Sequence, residues 1–141
     1  MFTMQAGWGD MDYNSHMANT SYLHKAATAR MLYFNENGFP MKEFARLGVG
    51  PVILRDEADY YRELRLLDEF TVTLELAGMS PDGKKFRLRN AFIRADGQCA
   101  AVVTSLGAWL NLAERKLTAP PPELRAALES LPRTEDYAMI D

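Results

Sequence analysis

The pattern of apolar and polar residues along the chain predicts a short strand followed by one long helix. A mildly apolar segment, residues 2–8, predicts the strand. Apolar side chains then spread over most of a helical circumference, and Asn19 or Thr20 is suited to cap the start of this helix. The helix is predicted to end near Asn37, because Gly38 follows and glycine commonly terminates helices. A helix this apolar is expected to be enclosed by other elements.

The rest of the chain predicts strands and a second, small helix. An extended, charged segment covers residues 52–64, and apolar and polar residues then alternate over 70–76, the period of a strand with one buried face. Two turn signals, Ser-Pro-Asp-Gly and Asp-Gly, separate that strand from strands predicted over 84–95 and 98–113. A run of three prolines precedes a short helix predicted over 123–131.

This order of elements predicts an α+β fold in which a curved antiparallel β-sheet wraps around the long central helix. A sheet with one apolar face needs a cover, and the chain offers one long apolar helix for that purpose. Such a sheet keeps exposed edge strands, and a free strand edge is a template for association. We therefore expect a homo-oligomer, formed by edge pairing or by helix packing across a two-fold axis.

Composition and charge narrow the class of protein. The 141 residues, 48% hydrophobic and 25% charged, indicate one globular domain over residues 1–141. A net charge of -3 argues against a nucleic-acid partner, because such proteins usually carry a concentrated basic surface. One cysteine and two histidines are too few for a disulfide or an ordinary zinc site, so we expect no metal and no cofactor. Without a basic leader or a long apolar segment, a cytoplasmic protein with no membrane partner is expected.

The polar segment over residues 10–19 is the candidate for chemistry. It brings two carboxylates, an imidazole and amide side chains directly before the start of the predicted helix. Unpaired N–H groups at a helix N-terminus can stabilise an oxyanion, and a carboxylate beside them could activate water or attack a carbonyl carbon. The same pattern also fits a structural role, in which Asp10 and Asp12 cap turns and His16 packs under the helix.

Residues 9–22 resemble the N-terminal signature of the hotdog-fold acyl-CoA thioesterases of the 4-hydroxybenzoyl-CoA thioesterase type. That signature has two acidic residues one position apart, a His followed three residues later by an Asn, and then a Tyr. The resemblance extends to Ala29 and Arg30 on the long helix and to Leu67 and Asp68 before a core strand. It also includes the charged turn 114–116 and the prolines 120–122, so it covers nearly the whole chain.

The resemblance implies roles for four residues. Asp12, the second acidic residue of the signature, matches the family's catalytic carboxylate, a general base or a nucleophile. Asn19 matches the position whose backbone N–H polarises the thioester carbonyl, while His16 and Tyr22 match positions that line the substrate site. Ala18 departs from the pattern, since many relatives have a second Asn there. That difference concerns the substrate pocket and not the reaction.

The implied function is hydrolysis of an acyl-CoA by a homodimer or homotetramer. Thioesters suit a small catalytic apparatus because thiolate is a good leaving group. A non-enzymatic module that binds acyl-CoA or an acyl-carrier protein is the alternative, because a fold does not fix a function. A hydratase or dehydratase of the same fold would need a His paired with an acid across the site, and His16 is the candidate for that role.

Two groups of charged residues are open to either a binding or a surface role. The basic side chains Lys84, Lys85, Arg87 and Arg89 could meet the phosphates of CoA, although a basic strand face is more often solvated. The charged residues of segment 55–63, which include Glu63, could help line a pocket at a dimer interface, and a surface position is the default expectation.

Overall fold

Three α-helices and eight strands make up the protein, and the computed structural model describes all 141 residues. The helices are α1 (Asn19–Glu36), α2 (Met41–Leu47) and α3 (Pro122–Glu129). The strands are β1 (Phe2–Gln5), β2 (Val49–Tyr60), β3 (Glu69–Val72), β4 (Glu75–Met79), β5 (Lys85–Arg94), β6 (Cys99–Asn111), β7 (Lys116–Leu117) and β8 (Arg133–Met139). None of the helices has the length and apolar character needed to cross a membrane.

All eight strands join one curled sheet that packs on α1. The strand β2 forms one edge and pairs only with β6, which pairs in turn with β5. Two strands share the other side of β5: β3 pairs with one end of it and β4 with the other. The sheet continues with β1 beyond β3 and with β8 beyond β4. A curled sheet around a central helix is the hotdog arrangement that the sequence resemblance implies, and this prediction is confirmed.

Two hydrophobic clusters join α1 to the sheet. Near the start of the helix, Ala26 and Ala29 are fully buried in the same cluster as Phe92 of β5. Small side chains at these two positions let the sheet approach the helix closely. Near the end of the helix, the ring of Phe34 packs edge-on against Trp109 of β6, with ring centroids 5.8 Å apart. The long helix therefore covers the apolar face of the sheet, as predicted.

The predicted cap of α1 is wrong. Ala18, and not Asn19 or Thr20, caps the helix, because Ala18 has extended backbone angles (φ -65°, ψ 147°) and Asn19 is already helical. The sheet covers one side of the helix, as predicted, while Ala27 and Met31 are exposed. Both side chains line a cavity beside the sheet, so part of the apolar circumference has no covering element within this chain.

The strands differ from the prediction in two respects. Phe70, Val72, Leu74 and Leu76 are all buried, as the alternation predicts, but the run is not one strand. Phe70 and Val72 belong to β3, Leu76 belongs to β4, and Leu74 lies between them; the two strands have different outer partners. The sequence pattern does not predict β8, because Thr134 is its one buried residue and no alternation marks it. This strand pairs parallel with β4, so the sheet is not purely antiparallel.

Candidate active site

A tight loop carries Asp12 to the start of α1. The N–H of Asp12 donates a hydrogen bond to the carbonyl of His16 (2.9 Å), and the N–H of Ser15 donates to the carbonyl of Asp12 (3.2 Å). Ser15 adopts a left-handed backbone conformation in this turn (φ 67°). The Oδ1 atom of Asp12 accepts a hydrogen bond from the N–H of Asn14 (2.8 Å). The Oδ1 atom of Asp12 thus stabilises the turn, and its Oδ2 atom accepts no main-chain hydrogen bond.

The two acidic residues of the signature have different surroundings. Asp10 Oδ2 accepts a hydrogen bond from the N–H of Gly7 (2.7 Å) and lies 3.2 Å from Nζ of Lys25. The main-chain carbonyl of Asp10 accepts a further hydrogen bond from the N–H of Ala18 (2.8 Å). Asp10 therefore ties the loop to the helix and fulfils the structural role, whereas Asp12 faces a cleft.

This cleft has a volume of about 320 Å³ and lies at the start of α1. It brings together all four residues that the resemblance singles out, namely Asp12, His16, Asn19 and Tyr22. The other lining residues are Met17 of the loop and Tyr60, Tyr61, Arg62 and Glu63 at the end of β2 and just beyond it. Two segments that are distant in the sequence therefore form one site.

The start of α1 presents unpaired main-chain donors. The N–H groups of Asn19 and Thr20 have no hydrogen-bond partner in the chain, whereas the N–H of Ser21 bonds to the carbonyl of Ala18 (2.9 Å). Unpaired N–H groups at a helix N-terminus carry the positive end of the helix dipole and favour negative charge. Asn19 lines the cleft, whereas Thr20 does not. Asp12 and Asn19, a residue whose N–H is unpaired, therefore both line the cleft.

His16 lies between two carboxylates. Its Nδ1 atom is 3.4 Å from Oδ2 of Asp12, and its Nε2 atom is 3.6 Å from Oε2 of Glu63. The guanidinium of Arg65 hydrogen-bonds to Glu63 and holds the pKa of this carboxyl below its usual range. The surface position expected for Glu63 is therefore wrong in part, since its side chain is 43% exposed and also lines the cleft. The alternative that Glu63 lines a pocket fits this position, but no spacing in the sequence links it to the signature, so its contact with His16 was not predicted.

Aromatic side chains form one wall of the cleft. The buried ring of Tyr22 meets Tyr60 and Phe92 edge-on, at centroid distances of 5.3 Å and 5.1 Å. Burial, with a further contribution from Tyr60, raises the pKa of Tyr22 to about 12, so its hydroxyl is neutral near pH 7. The hydroxyl of Tyr60 donates a hydrogen bond to the carbonyl of Asn19 (2.9 Å) and fastens the end of β2 to the start of the helix.

A larger cavity of about 580 Å³ lies between α1, α2 and β2. Its walls are mostly apolar and include Met31, Phe44 and Ile53. Arg30 is the charged residue in this lining, and burial lowers the pKa of its guanidinium. The Nη1 atom of Arg30 donates a hydrogen bond to Oγ of Ser105 (3.2 Å), which anchors the side chain to β6. This cavity has the apolar character that the small cleft lacks.

The sequence profile of the thioesterase-like superfamily matches residues 6–128. The chain belongs to this superfamily. The matched region contains the loop of Asp12, the whole of α1 and the strands β2 to β7. The family resemblance stated from the signature is therefore confirmed.

One curated relative of this chain agrees with membership of the thioesterase-like superfamily. L-carnitine dehydrogenase/betainyl-CoA thioesterase of Agrobacterium fabrum (strain C58) is 25% identical over 138 residues, 98% of this chain. The chain spans 28% of the length of that relative.

Solved structures share the hotdog fold of the thioesterase-like chain. A gentisyl-coenzyme A thioesterase has a TM-score of 0.81 and 20% identity, and the match covers 92% of this chain and 100% of that one. A 1,4-dihydroxy-2-naphthoyl-CoA thioesterase from Synechocystis has a TM-score of 0.82 and 16% identity, with 92% and 95% covered. A Staphylococcus aureus protein in complex with CoA has a TM-score of 0.82 and 23% identity, with 94% and 85% covered.

One basic residue of the thioesterase-like chain has a structural partner. Arg89 Nη1 donates a hydrogen bond to Oδ1 of Asp136 (2.7 Å) and thereby links β5 to β8. This contact lowers the pKa of Asp136 to about 2. A role in binding CoA phosphates stays a prediction for Lys84, Lys85, Arg87 and Arg89.

Proposed function

We propose that this chain hydrolyses an acyl-CoA thioester to the free acid and CoA. The observation that carries the proposal is a single cleft in which the carboxylate of Asp12 and the unpaired N–H of Asn19 both lie at the start of α1. A carboxylate and an oxyanion donor are the two groups that acyl transfer needs. Because the thiolate of CoA leaves readily, the reaction needs no strong acid.

In the proposed reaction, the carbonyl oxygen of the thioester accepts a hydrogen bond from the N–H of Asn19 as negative charge develops on it. Asp12 then acts in one of two ways. As a general base it removes a proton from the water that attacks the carbonyl carbon. As a nucleophile it attacks that carbon itself and forms a mixed anhydride, which water hydrolyses. The C–S bond breaks in both routes, and we propose that His16 and Tyr22 line the substrate site.

The relatives support both the reaction and the class of substrate. Membership of the superfamily supports thioester hydrolysis. The names of three relatives give a gentisyl-CoA, a 1,4-dihydroxy-2-naphthoyl-CoA and a betainyl-CoA thioesterase. The Staphylococcus aureus protein in complex with CoA supports recognition of the CoA part. These acyl groups differ from one another, so the test needs a broad panel.

The proposed partner is an acyl-CoA, without nucleic acid, membrane, metal or cofactor. A net charge of -3 supports the absence of a nucleic-acid partner. Neither route of hydrolysis requires a metal or a redox group, since Asp12 supplies the base or the nucleophile. Cys99 is the single cysteine and is free, which is typical of a reducing compartment, and we propose a cytoplasmic location.

We also propose that the working unit is a homodimer or homotetramer built on β2. This strand of 12 residues pairs on one side only, so its other edge has free main-chain groups. Antiparallel pairing of two copies of β2 would bring the cleft at the Tyr60 end of one copy beside the apolar cavity at the Gly50 end of the other. The second copy would then supply the wall for the acyl group.

Light scattering is expected to give a mass of at least twice the 15.9 kDa of one chain, since the site is completed by a second copy. The measurement is best made at the protein concentration used for the activity assay. A fully active particle of 15.9 kDa would contradict the shared site and leave the assignment of Asp12 unaffected.

A panel of short, long and aromatic acyl-CoAs, with release of the free thiol as readout, tests the proposed function. We expect at least one of them to react with kcat/KM of about 10⁴ M⁻¹s⁻¹ or more. Binding without thiol release from any of them would favour the non-enzymatic binding module instead.

A hydratase or dehydratase is the second candidate, because His16 is within 3.4 Å of one acid and 3.6 Å of another. Enoyl-CoA and 3-hydroxyacyl-CoA belong in the panel for this reason. Interconversion of these two compounds without thiol release would favour the second candidate over hydrolysis.

A further inference from the structure

Both ring nitrogens of His16 face a carboxylate in the cleft. Nδ1 is directed to Asp12 at 3.4 Å and Nε2 to Glu63 at 3.6 Å. A carboxylate accepts hydrogen bonds and does not donate them, so the carboxylate at one nitrogen influences where the imidazole proton lies. The orientation of His16 relative to Asp12 therefore depends on a residue that the signature does not contain.

Glu63 is held in place from its other side. Its Oε1 atom accepts hydrogen bonds from Nη2 (2.8 Å) and Nε (3.2 Å) of Arg65, which leaves Oε2 directed to His16. The main chain is fastened as well, because the N–H of Met17 donates to the carbonyl of Leu64 (2.7 Å) and His16 forms an antiparallel bridge with Arg65. The segment that carries Glu63 is thus joined to the loop of Asp12 and His16 through main-chain and side-chain contacts.

We propose that Glu63 is a positioning residue for the pair formed by His16 and Asp12, an inference that rests on the proposed function. The carboxylate of Glu63, 3.6 Å from Nε2, attracts this edge of the imidazole and so keeps Nδ1 directed at Oδ2 of Asp12, 3.4 Å away. In the general-base route, Asp12 is thereby held in place to remove a proton from the water that attacks the carbonyl carbon. Asp12 returns this proton to the departing CoA thiolate when the C–S bond breaks, so charge and protons balance. Glu63 itself touches no reacting atom.

The kinetic test compares Glu63→Gln and Glu63→Ala with Glu129→Gln. Glu129 is an exposed carboxylate of α3 that pairs with Arg125 and does not line the cleft, so it is a matched control. We expect kcat to fall about 10- to 100-fold in Glu63→Ala, the order of effect of a misplaced reacting group, with KM changed less than about twofold. Glu63→Gln should recover part of the loss, because its amide oxygen still accepts a hydrogen bond. Unchanged kcat in Glu63→Ala would overturn the proposal.

The state of the imidazole gives a readout that does not depend on activity. The chain has two histidines, so ¹⁵N NMR at alkaline pH can assign His16 with the help of His24→Gln. We expect a mixture of tautomers in the wild type, because each ring nitrogen faces a carboxylate, and a shift to the tautomer with the proton on Nδ1 in Glu63→Ala, where Asp12 alone faces the ring. The same tautomer population in both proteins would overturn the proposal. If the populations differ as expected but the wild type hydrolyses no acyl-CoA, the proposed function fails and the positioning by Glu63 stands.

Discussion

Replacing Asp12 with Asn is expected to lower kcat for thioester hydrolysis by about 10²- to 10⁴-fold, the range associated with loss of a general base. The protein should keep its fold, because the amide oxygen of Asn can still accept the hydrogen bond that Oδ1 receives from Asn14. The side chain is also 31% exposed, so we expect the free energy of unfolding to change by less than about 1 kcal/mol. Steady-state kinetics and urea unfolding measure the two effects separately.

Asp10→Asn is the matched control, because Asp10 lies two positions earlier and contacts the main chain and Lys25 instead of the cleft. We expect the opposite result for this variant. It should lose about 1–2 kcal/mol of stability, because the hydrogen bond from Gly7 is then accepted by a neutral amide and the ion pair with Lys25 is lost, yet keep most of its turnover. A wild-type rate in Asp12→Asn would contradict the role assigned to Asp12.

Replacing Tyr22 with Ala is expected to reduce the free energy of unfolding by about 3–5 kcal/mol, the cost of removing a large buried aromatic ring. Tyr22 is 2% exposed and supports both Tyr60 and Phe92 by edge-on contacts. Tyr60 in turn bonds to the carbonyl of Asn19, so loss of this ring should also loosen the end of β2 at the cleft. Urea unfolding followed by circular dichroism measures the loss of stability.

Tyr22→Phe separates packing from contact with the substrate. The ring and its two aromatic contacts remain, so stability should stay within about 1 kcal/mol of the wild type. If the hydroxyl meets the substrate, KM rises in this variant while the unfolding midpoint does not move. A small loss of stability in Tyr22→Ala, below about 1 kcal/mol, would contradict the packing role described for this residue.

Most of the fold was predictable because each main element leaves a periodic pattern in the sequence. The predicted end of the long helix near residue 37 and the predicted strands over 84–95 and 98–113 lie within two residues of the observed α1, β5 and β6. The exceptions follow from tertiary structure. The strand β8 buries only Thr134 and joins the sheet through parallel pairing with β4, so its residues show no alternation.

The candidate site was predictable on one side only. The loop and the helix start are contiguous in the sequence, so Asp12, His16, Asn19 and Tyr22 could be found from one signature. The second side comes from the end of β2 and the segment just beyond it, where Glu63 stands among charged residues that fit either a surface or a pocket at a dimer interface. Its position depends on how the sheet curls around α1, which local sequence does not encode.

A single-turnover experiment tests directly whether the chain hydrolyses a thioester with Asp12, because it separates binding of the acyl-CoA from cleavage of its C–S bond. The wild-type protein is mixed in excess with each acyl-CoA of the panel, and free CoA is separated and quantified over time, with Asp12→Asn treated in parallel. We expect complete conversion of at least one acyl-CoA by the wild type, while the same thioester stays intact on the variant. A thioester that stays bound and intact on the wild-type protein, for every member of the panel, would contradict this expectation.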